Sequence, residues 1–506
     1  TPGKCAGETL FIRDMQFPGV LDAVTVRSAS RRANILKIEL PEMPEGYFIV
    51  DASDIPGKNH VVYFRDPCPY FAEGRVNYIG QPIMLVVGPD IRLARKLAGE
   101  VRIDYDEIPP IRTIDDALSN NYPPLHKDNN VYAEEIFQYG EVEQAFSDAS
   151  EIFETVTRTG YQEHLYMEPQ GATAVPDGDR ITIYASTQGP HAVRLTLAGA
   201  FGWDLKRFRV CQTPVGGGFG GKIEPPLILA GHAAFAARKC GRPVMLTYSR
   251  EEDMRATTKC HPSRAVVRTA LNKEKQITAI DIDVVFQAGG YALSCGLVLD
   301  NGLKKATGVY HFPAARARGR AVATNNPMGG ALRGFGAPQI FFALETHMNA
   351  LARKLGAEPL AFKANYCIRQ GNPTLTGGTY HFPVSLPDVV EAVKKISGYK
   401  DRIASLPGAH ARLFGVGQAL FNFGAPFSVD SKMPAESRSG TMMSLGLLKR
   451  ENGTIEILSE LVDMGQGLHT VFRKIVAKTL DIPIERVVYN DVDTDHVPPF
   501  TITGAS

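Results

Sequence analysis

Close cysteine pairs are missing from this sequence. Its seven cysteines, Cys5, Cys68, Cys211, Cys240, Cys260, Cys295 and Cys367, are scattered and odd in number, with no C-x-x-C or other close ligand spacing. That argues against an iron–sulfur cluster or a zinc site within the chain. It points to a reducing compartment, with each cysteine read as a small core residue. Charge of one sign is also lacking: 55 Lys and Arg against 54 Asp and Glu leave a net +1, so no excess directs the chain to nucleic acid or an anionic membrane. No stretch approaches the roughly eighteen consecutive apolar residues of a membrane helix, and the N-terminus has no charged-then-apolar signal pattern. A soluble, cytoplasmic protein with no membrane span and no nucleic-acid partner is expected. Thr1 is not an initiator methionine, which leaves room for upstream residues.

What is present is an ordinary globular composition, 44% hydrophobic and 22% charged, at a length that suggests roughly three to four domains. Alternating strands are expected at 21–27 and 83–87, then a helix capped by Asp90, then a strand at 101–105, together a βαβ-like unit. The Pro- and Asn-rich segment from Pro109 to Asn130 reads as a linker. Further strands are expected at 151–159, 180–185, 265–270 and 277–284, the last two neighbours, and helices at 191–201, 227–239 and 339–355. Past residue 400, strands at 415–421 and 454–458 and a helix at 470–480 lead to an exposed turn, Thr503-Gly504-Ala505-Ser506.

The densest signal is Pro214-Val215-Gly216-Gly217-Gly218-Phe219-Gly220-Gly221-Lys222. So many glycines imply positive φ or backbone brought very close to something. Gly216, Gly218 and Gly221 fit a dinucleotide fingerprint, and Gly216 with Gly221-Lys222 nearly fits a P-loop. Ile223 stands where a P-loop needs a hydroxyl for Mg²⁺, and Pro225-Pro226 count against the long helix a dinucleotide site requires. A tight strand-to-helix turn is the plain alternative. Two other stretches, Met328-Gly329-Gly330-Ala331-Leu332-Arg333-Gly334-Phe335-Gly336 and Met464-Gly465-Gln466-Gly467-Leu468-His469, also precede helices. Each offers backbone N–H groups suited to an oxo anion or phosphate, and Arg333 adds a bidentate fork. Three such loops raise an anionic, multiply hydrogen-bonded cofactor above the turn reading.

These stretches, with Gln162-Glu163-His164-Leu165-Tyr166-Met167-Glu168 and Ser186-Thr187-Gln188, resemble the xanthine oxidase family of molybdenum hydroxylases in order and spacing, over nearly the whole chain. The resemblance implies an α+β, mixed α/β architecture: an N-terminal α/β hammerhead-like domain over 1–125, a first molybdopterin-binding domain over 131–400, and the N-terminal part of a second over 401–506. It implies a molybdenum held by a pterin dithiolene with no direct protein ligand, in the plain or cytosine dinucleotide form, with a terminal sulfido or selenido ligand.

By the same resemblance Gln188 and Arg333 are the catalytic residues, Gln188 donating its amide N–H to a metal oxygen and Arg333 facing the metal. Gly218, Phe219, Gly220 and Gly221 bring backbone against the metal ligands. Gly465, Gln466 and Gly467 contact the pterin, and Ala505 and Ser506 begin another pterin-phosphate loop. Phe335 and Phe427 sandwich a flat aromatic substrate, whereas His164 is read as structural. The family's general base is a Glu in a Gly-x-Gly-Glu context. That motif does not occur here, since Gly415-Val416-Gly417-Gln418 ends in Gln. A second molybdopterin subunit carrying the Glu is therefore expected, with [2Fe–2S] and FAD on an iron–sulfur subunit and a flavin subunit.

Xanthine-specific relatives place a Glu directly after Gly-Gly-Lys, where this chain has Ile223, and an Arg about where it has Asn301. Losing both charges favours a less polar N-heteroaromatic, hydroxylated with oxygen taken from water. An aldehyde-oxidising subunit and a catalytically incomplete scaffold subunit are the alternatives.

Overall fold

A computed structural model describes residues 2–61, 68–119, 121–127, 129–405, 416–421, 445–499 and 502–504. Two large sheets organise it. The first has seven strands in the order Phe208–Gln212, Arg180–Ala185, Gly171–Asp177, Val244–Thr247, Leu21–Arg27, Pro82–Gly88, Phe48–Val50. The second has five, in the order Val131–Tyr139, Ala314–Ala323, Ile277–Gly289, Ser263–Leu271, Glu151–Thr159. The seven-stranded sheet crosses the boundary expected near residue 125, because Leu21 and Asp22 pair in parallel with Val244 and Met245. Among the described residues no helix is long and apolar enough to cross a membrane.

Sequence periodicity locates most elements because one face of each is buried. Glu151–Thr159 alternates half-buried and exposed along its whole length, and Asp90 caps its helix by accepting from the Arg92 N–H. The expected βαβ-like unit does not form. Pro82–Gly88 is buried at every position within the seven-stranded sheet, whereas Arg102–Glu107 pairs antiparallel with Ala33–Glu39 in a separate small sheet. Four of the former's would-be partner's six residues are charged, so a central position for Arg102–Glu107 would strand charge in the core. The linker segment is also more than a linker. It holds the helix Ile114–Leu118, closed by a Thr113–Asp116 capping box, with Ile111, Ile114 and Ala117 packed on Val285 and Val322.

Pro225-Pro226 do not prevent a helix from opening at the glycine loop. A 17-residue helix runs from Glu224 to Cys240 with both prolines in its first turn, where a missing N–H costs no intrahelical bond. Its face from Leu227 to Ala237 joins the core of the seven-stranded sheet. The strand expected over 415–421 is absent from its described part, 416–421. There side chains take up the main chain: Leu420 N–H donates to Glu345 and Lys363 donates to the Gln418 carbonyl.

The unit over 445–499 docks on the sheet edge Phe208–Gln212. Gln212 and Val492 exchange hydrogen bonds, Asp493 pairs with Arg209, and Val215 packs against Val462, Val492 and Val497. This docking sets the Met464–His469 stretch beside the glycine loop.

Candidate active site

The glycine loop leaves the edge strand at Gln212 and turns back into the helix Glu224–Cys240. Buried and half-buried polar side chains of the segment 163–170 form a floor for it, while Leu165 and Met167 between them are exposed. The Lys222 ammonium is fully buried, 2.6 Å from Glu168 Oε2 and 2.9 Å from Ser186 Oγ. The same Glu168 oxygen accepts the Gly216 N–H. Burial lowers the Lys222 pKa, opposed by the charge of Glu168. A lysine sealed into this pair cannot reach a bound phosphate, which removes the P-loop reading.

Glu163 pairs with Lys259 at 2.7 Å and accepts the His164 N–H. Burial pushes its carboxyl up, but His164 and Lys259 outweigh this and bring it to about 2. Tyr166 donates to Asp253 Oδ1, and Gln170 donates to the Gly221 carbonyl.

Gln188 holds the loop from the side. Buried at 2% exposure, its Oε1 accepts the N–H groups of Gly220 and Lys222 at 3.0 and 3.2 Å, and its Nε2 donates to the Thr503 carbonyl at 2.7 Å. Thr503 is buried, not part of an exposed turn, and its Oγ1 accepts the Val462 N–H. The second amide N–H of Gln188 is left for another acceptor.

Three loops meet above this floor. A Cβ on Gly218 would lie 2.7 Å from Gln188 Oε1 and 2.9 Å from Met464 Sδ. One on Gly220, at φ +97°, would lie 2.7 Å from the Ala331 carbonyl oxygen. The Arg333 N–H donates to the Phe219 carbonyl at 2.9 Å. Phe219 itself sits at φ +54° with its side chain 46% exposed, a strained conformation for a non-glycine residue. The N–H groups of Gly217, Gly218 and Phe219 have no hydrogen-bond partner among the described residues.

The other two loops differ from expectation, because their N–H groups are largely used internally. Asp463 accepts from Gly465, Gly467 and His469, and Gln466 Oε1 accepts from Met464. Asp463, missed from sequence, sits just ahead of Met464 and the Gly-x-Gly at a helix start, the place of an Asx cap. Burial raises its pKa, yet these backbone donors hold it low. Ala331 donates to Glu224 Oε1. Both Arg333 and Gln466 present exposed side chains.

Phe335, at φ +46°, is half-buried on the second core and its carbonyl accepts from Asn301 Nδ2. The Asn301 oxygen accepts from Lys305, so this amide is tied to Phe335 rather than open to a ligand. Ile223 is half-buried at the helix entry. Phe427, Ala505 and Ser506 lie outside the described residues.

A molybdenum–pterin group fits this chemistry. Three consecutive backbone N–H groups, at 217–219, are without partners among the described residues where glycine lets backbone from two loops meet, Gln188 keeps a spare amide N–H, and Arg333 and Phe219 are exposed.

The molybdopterin cofactor-binding domain matches residues 124–366 and again 392–506, and the a/b hammerhead domain of aldehyde oxidase and xanthine dehydrogenase matches 6–109. A nicotinate dehydrogenase large molybdopterin subunit from Eubacterium barkeri is 30% identical over 407 residues, covering 78% of this chain and 95% of its own length. A xanthine dehydrogenase molybdenum-binding subunit from Escherichia coli O157:H7 is 31% identical over 433 residues, covering 84% of this chain and 56% of the relative. Quinoline 2-oxidoreductase from Pseudomonas putida 86 shares the fold at a TM-score of 0.86 and 23% identity, over 99% of this chain and 66% of that one. The chain spans only 36–37% of two further curated relatives. On these matches and this geometry, the chain belongs to the xanthine oxidase family of molybdenum hydroxylases, as a molybdopterin-binding subunit.

Proposed function

We propose that the chain is the molybdenum-cofactor subunit of a cytoplasmic, multi-subunit enzyme that hydroxylates a ring carbon of an N-heteroaromatic compound with oxygen from water. The meeting of the glycine loop, the Arg333–Phe335 turn and the Met464–Gly467 loop around three unpartnered N–H groups carries this reading. When bound, the molybdenum–pterin group would supply the two-electron redox chemistry of the hydroxylation. Gln188 would offer its spare amide N–H to the bound group, and the backbone at Phe219 and Gly220 would close against it. Gln466 lies against the pterin. Arg333 stabilises charge developing on the substrate, and Phe335 and Phe427 are the aromatic side chains assigned to hold the ring flat. Ile223 and the tied amide of Asn301 offer no charge to a xanthine, which favours a less polar ring.

The general base is assigned to a second molybdopterin subunit. Among the described carboxylates under and beside the loops, Glu163 and Glu168 are ion-paired, Asp463 accepts three backbone N–H groups, and Glu224 holds Ala331 and Ser294. The name of the Eubacterium relative, a large molybdopterin subunit of which this chain covers 95%, supports a cofactor shared between chains. Electrons leave through iron–sulfur and FAD subunits.

Anaerobic turnover of the purified complex with an added artificial electron acceptor, against purines, pyridines and aldehydes in isotopically labelled water, tests the reading. Label in a hydroxylated pyridine-type ring is expected. Oxidation of aldehydes alone, or of nothing in a molybdenum-loaded complex, would replace it with the aldehyde-oxidising or the scaffold reading.

A further inference from the structure

Glu224 lies two residues beyond Lys222, in the first turn of the helix Glu224–Cys240, and is 1% exposed. No lysine or arginine pairs with it among the described residues; what faces it is a set of hydrogen-bond donors. Its Oε1 accepts the Ala331 N–H at 3.0 Å and also the Ser294 hydroxyl. Its Oε2 is buried without a partner. Burial raises its pKa, opposed by Ser294, Ala331 and the helix's own N–H.

Each donor leads to one end of the turn that presents Arg333. Ala331 begins that turn, and its carbonyl accepts from His164 Nε2 at 2.7 Å, which requires the Nε2–H tautomer because a carbonyl only accepts. The Ala331 peptide groups are thus pinned from the glycine-loop side by Glu224 and His164. Ser294 enters the helix Cys295–Leu303. That helix carries Asn301, bonded to the Phe335 carbonyl, and lies so close to the turn that a Cβ on Gly336 would fall 2.2 Å from the Val298 carbonyl oxygen.

We propose that Glu224 is a positioning residue that fixes the substrate-side turn Ala331–Gly336 to the cofactor-side glycine loop, holding its start directly and its end through Ser294 and the helix Cys295–Leu303. The idea rests on the proposed function for its effect on substrate, but not for the coupling itself. The glycine loop does not depend on this carboxylate, since Gln188 and Glu168 hold it independently.

Hydrogen exchange and steady-state kinetics of the full complex, with Glu224→Ala, Glu224→Gln and Ser294→Ala, test it. In Glu224→Ala, amides over 331–336 should exchange roughly tenfold faster, as expected for losing a buried hydrogen bond, while amides over 216–222 do not change. kcat/KM should fall at least roughly tenfold, through a higher KM as Phe335 loosens and a lower kcat as Arg333 loosens, with molybdenum content unchanged. Glu224→Gln keeps an acceptor oxygen and should stay within about twofold of the parent protein in both readouts. Ser294→Ala should loosen 295–301 and Phe335 but not Ala331. Uniformly faster exchange, unchanged exchange over 331–336, or molybdenum loss at constant KM in Glu224→Ala would overturn the proposal. A parent complex without molybdenum or ring turnover would overturn the functional reading and leave the exchange result to decide this one.

Discussion

Lys222→Met should destabilise the unit around the glycine loop by about 3–5 kcal/mol, the usual cost of removing one partner from a buried ion pair. The Lys222 ammonium is wholly buried and sits 2.6 Å from a Glu168 carboxylate that is itself only 10% exposed. Without the lysine, Glu168 keeps only the Ser186 hydroxyl and the Gly216 N–H, too little to balance a desolvated charge. At about 2–4 °C per kcal/mol for a domain of this size, the melting temperature should fall by roughly 10 °C. Adding Glu168→Gln should recover most of that loss, because the amide oxygen still accepts from Gly216 and the buried charge is gone. Thermal unfolding of both variants in the complex checks this; a single-variant loss below about 1 kcal/mol would show the pair to be solvated.

The second large effect is expected at Gly220. Its φ of +97° strains any other residue, and a Cβ there would meet the Ala331 carbonyl oxygen at 2.7 Å and its carbon at 2.9 Å. Backbone cannot yield as the end of a flexible side chain can, so Gly220→Val must separate two of the three loops. Separation by about 1 Å at a reacting centre lowers turnover by about a hundredfold, with cofactor retention falling as well. Gly241→Ala serves as control. It also has positive φ, +61°, but nothing lies within 4 Å of its would-be Cβ. It should therefore cost only about 1–2 kcal/mol of backbone strain and leave turnover alone. Equal losses in the two variants would contradict the role given to the Gly220–Ala331 contact.

Strands are legible in the sequence where burial alternates, and helices where a cap or a run of alanines marks them. Arg180–Ala185 and the helix Pro190–Phe201 are found where periodicity puts them. Sheet membership is not legible. The four charges of Arg102–Glu107 count against a central place in the sheet of Pro82–Gly88, but nothing local says that it pairs with Ala33–Glu39 instead, or that Leu21 pairs with Val244, because such pairings are decided by contacts distant in sequence. At the site, the glycine cluster announces a close approach of backbone but not what approaches. That the Ala331 carbonyl, Met464 and Gln188 are the groups that meet it is seen only in three dimensions. Pro225-Pro226 mislead in the opposite sense, since two prolines fit a first helical turn. The roles of Glu224, which sits one residue late for the Glu of xanthine-specific relatives, and of Asp463 are not legible, because a lone carboxylate near glycines looks solvated until burial and donors are seen.

The central claim is that the three converging loops seat a molybdenum–pterin group. Metal and pterin analysis of the chain purified in complex with its partners tests this most directly. Stoichiometric molybdenum with pterin is predicted in the parent complex, with a marked loss of both in Gly220→Val. A parent complex containing no molybdenum, or one carrying a bound nucleotide in its place, would contradict it.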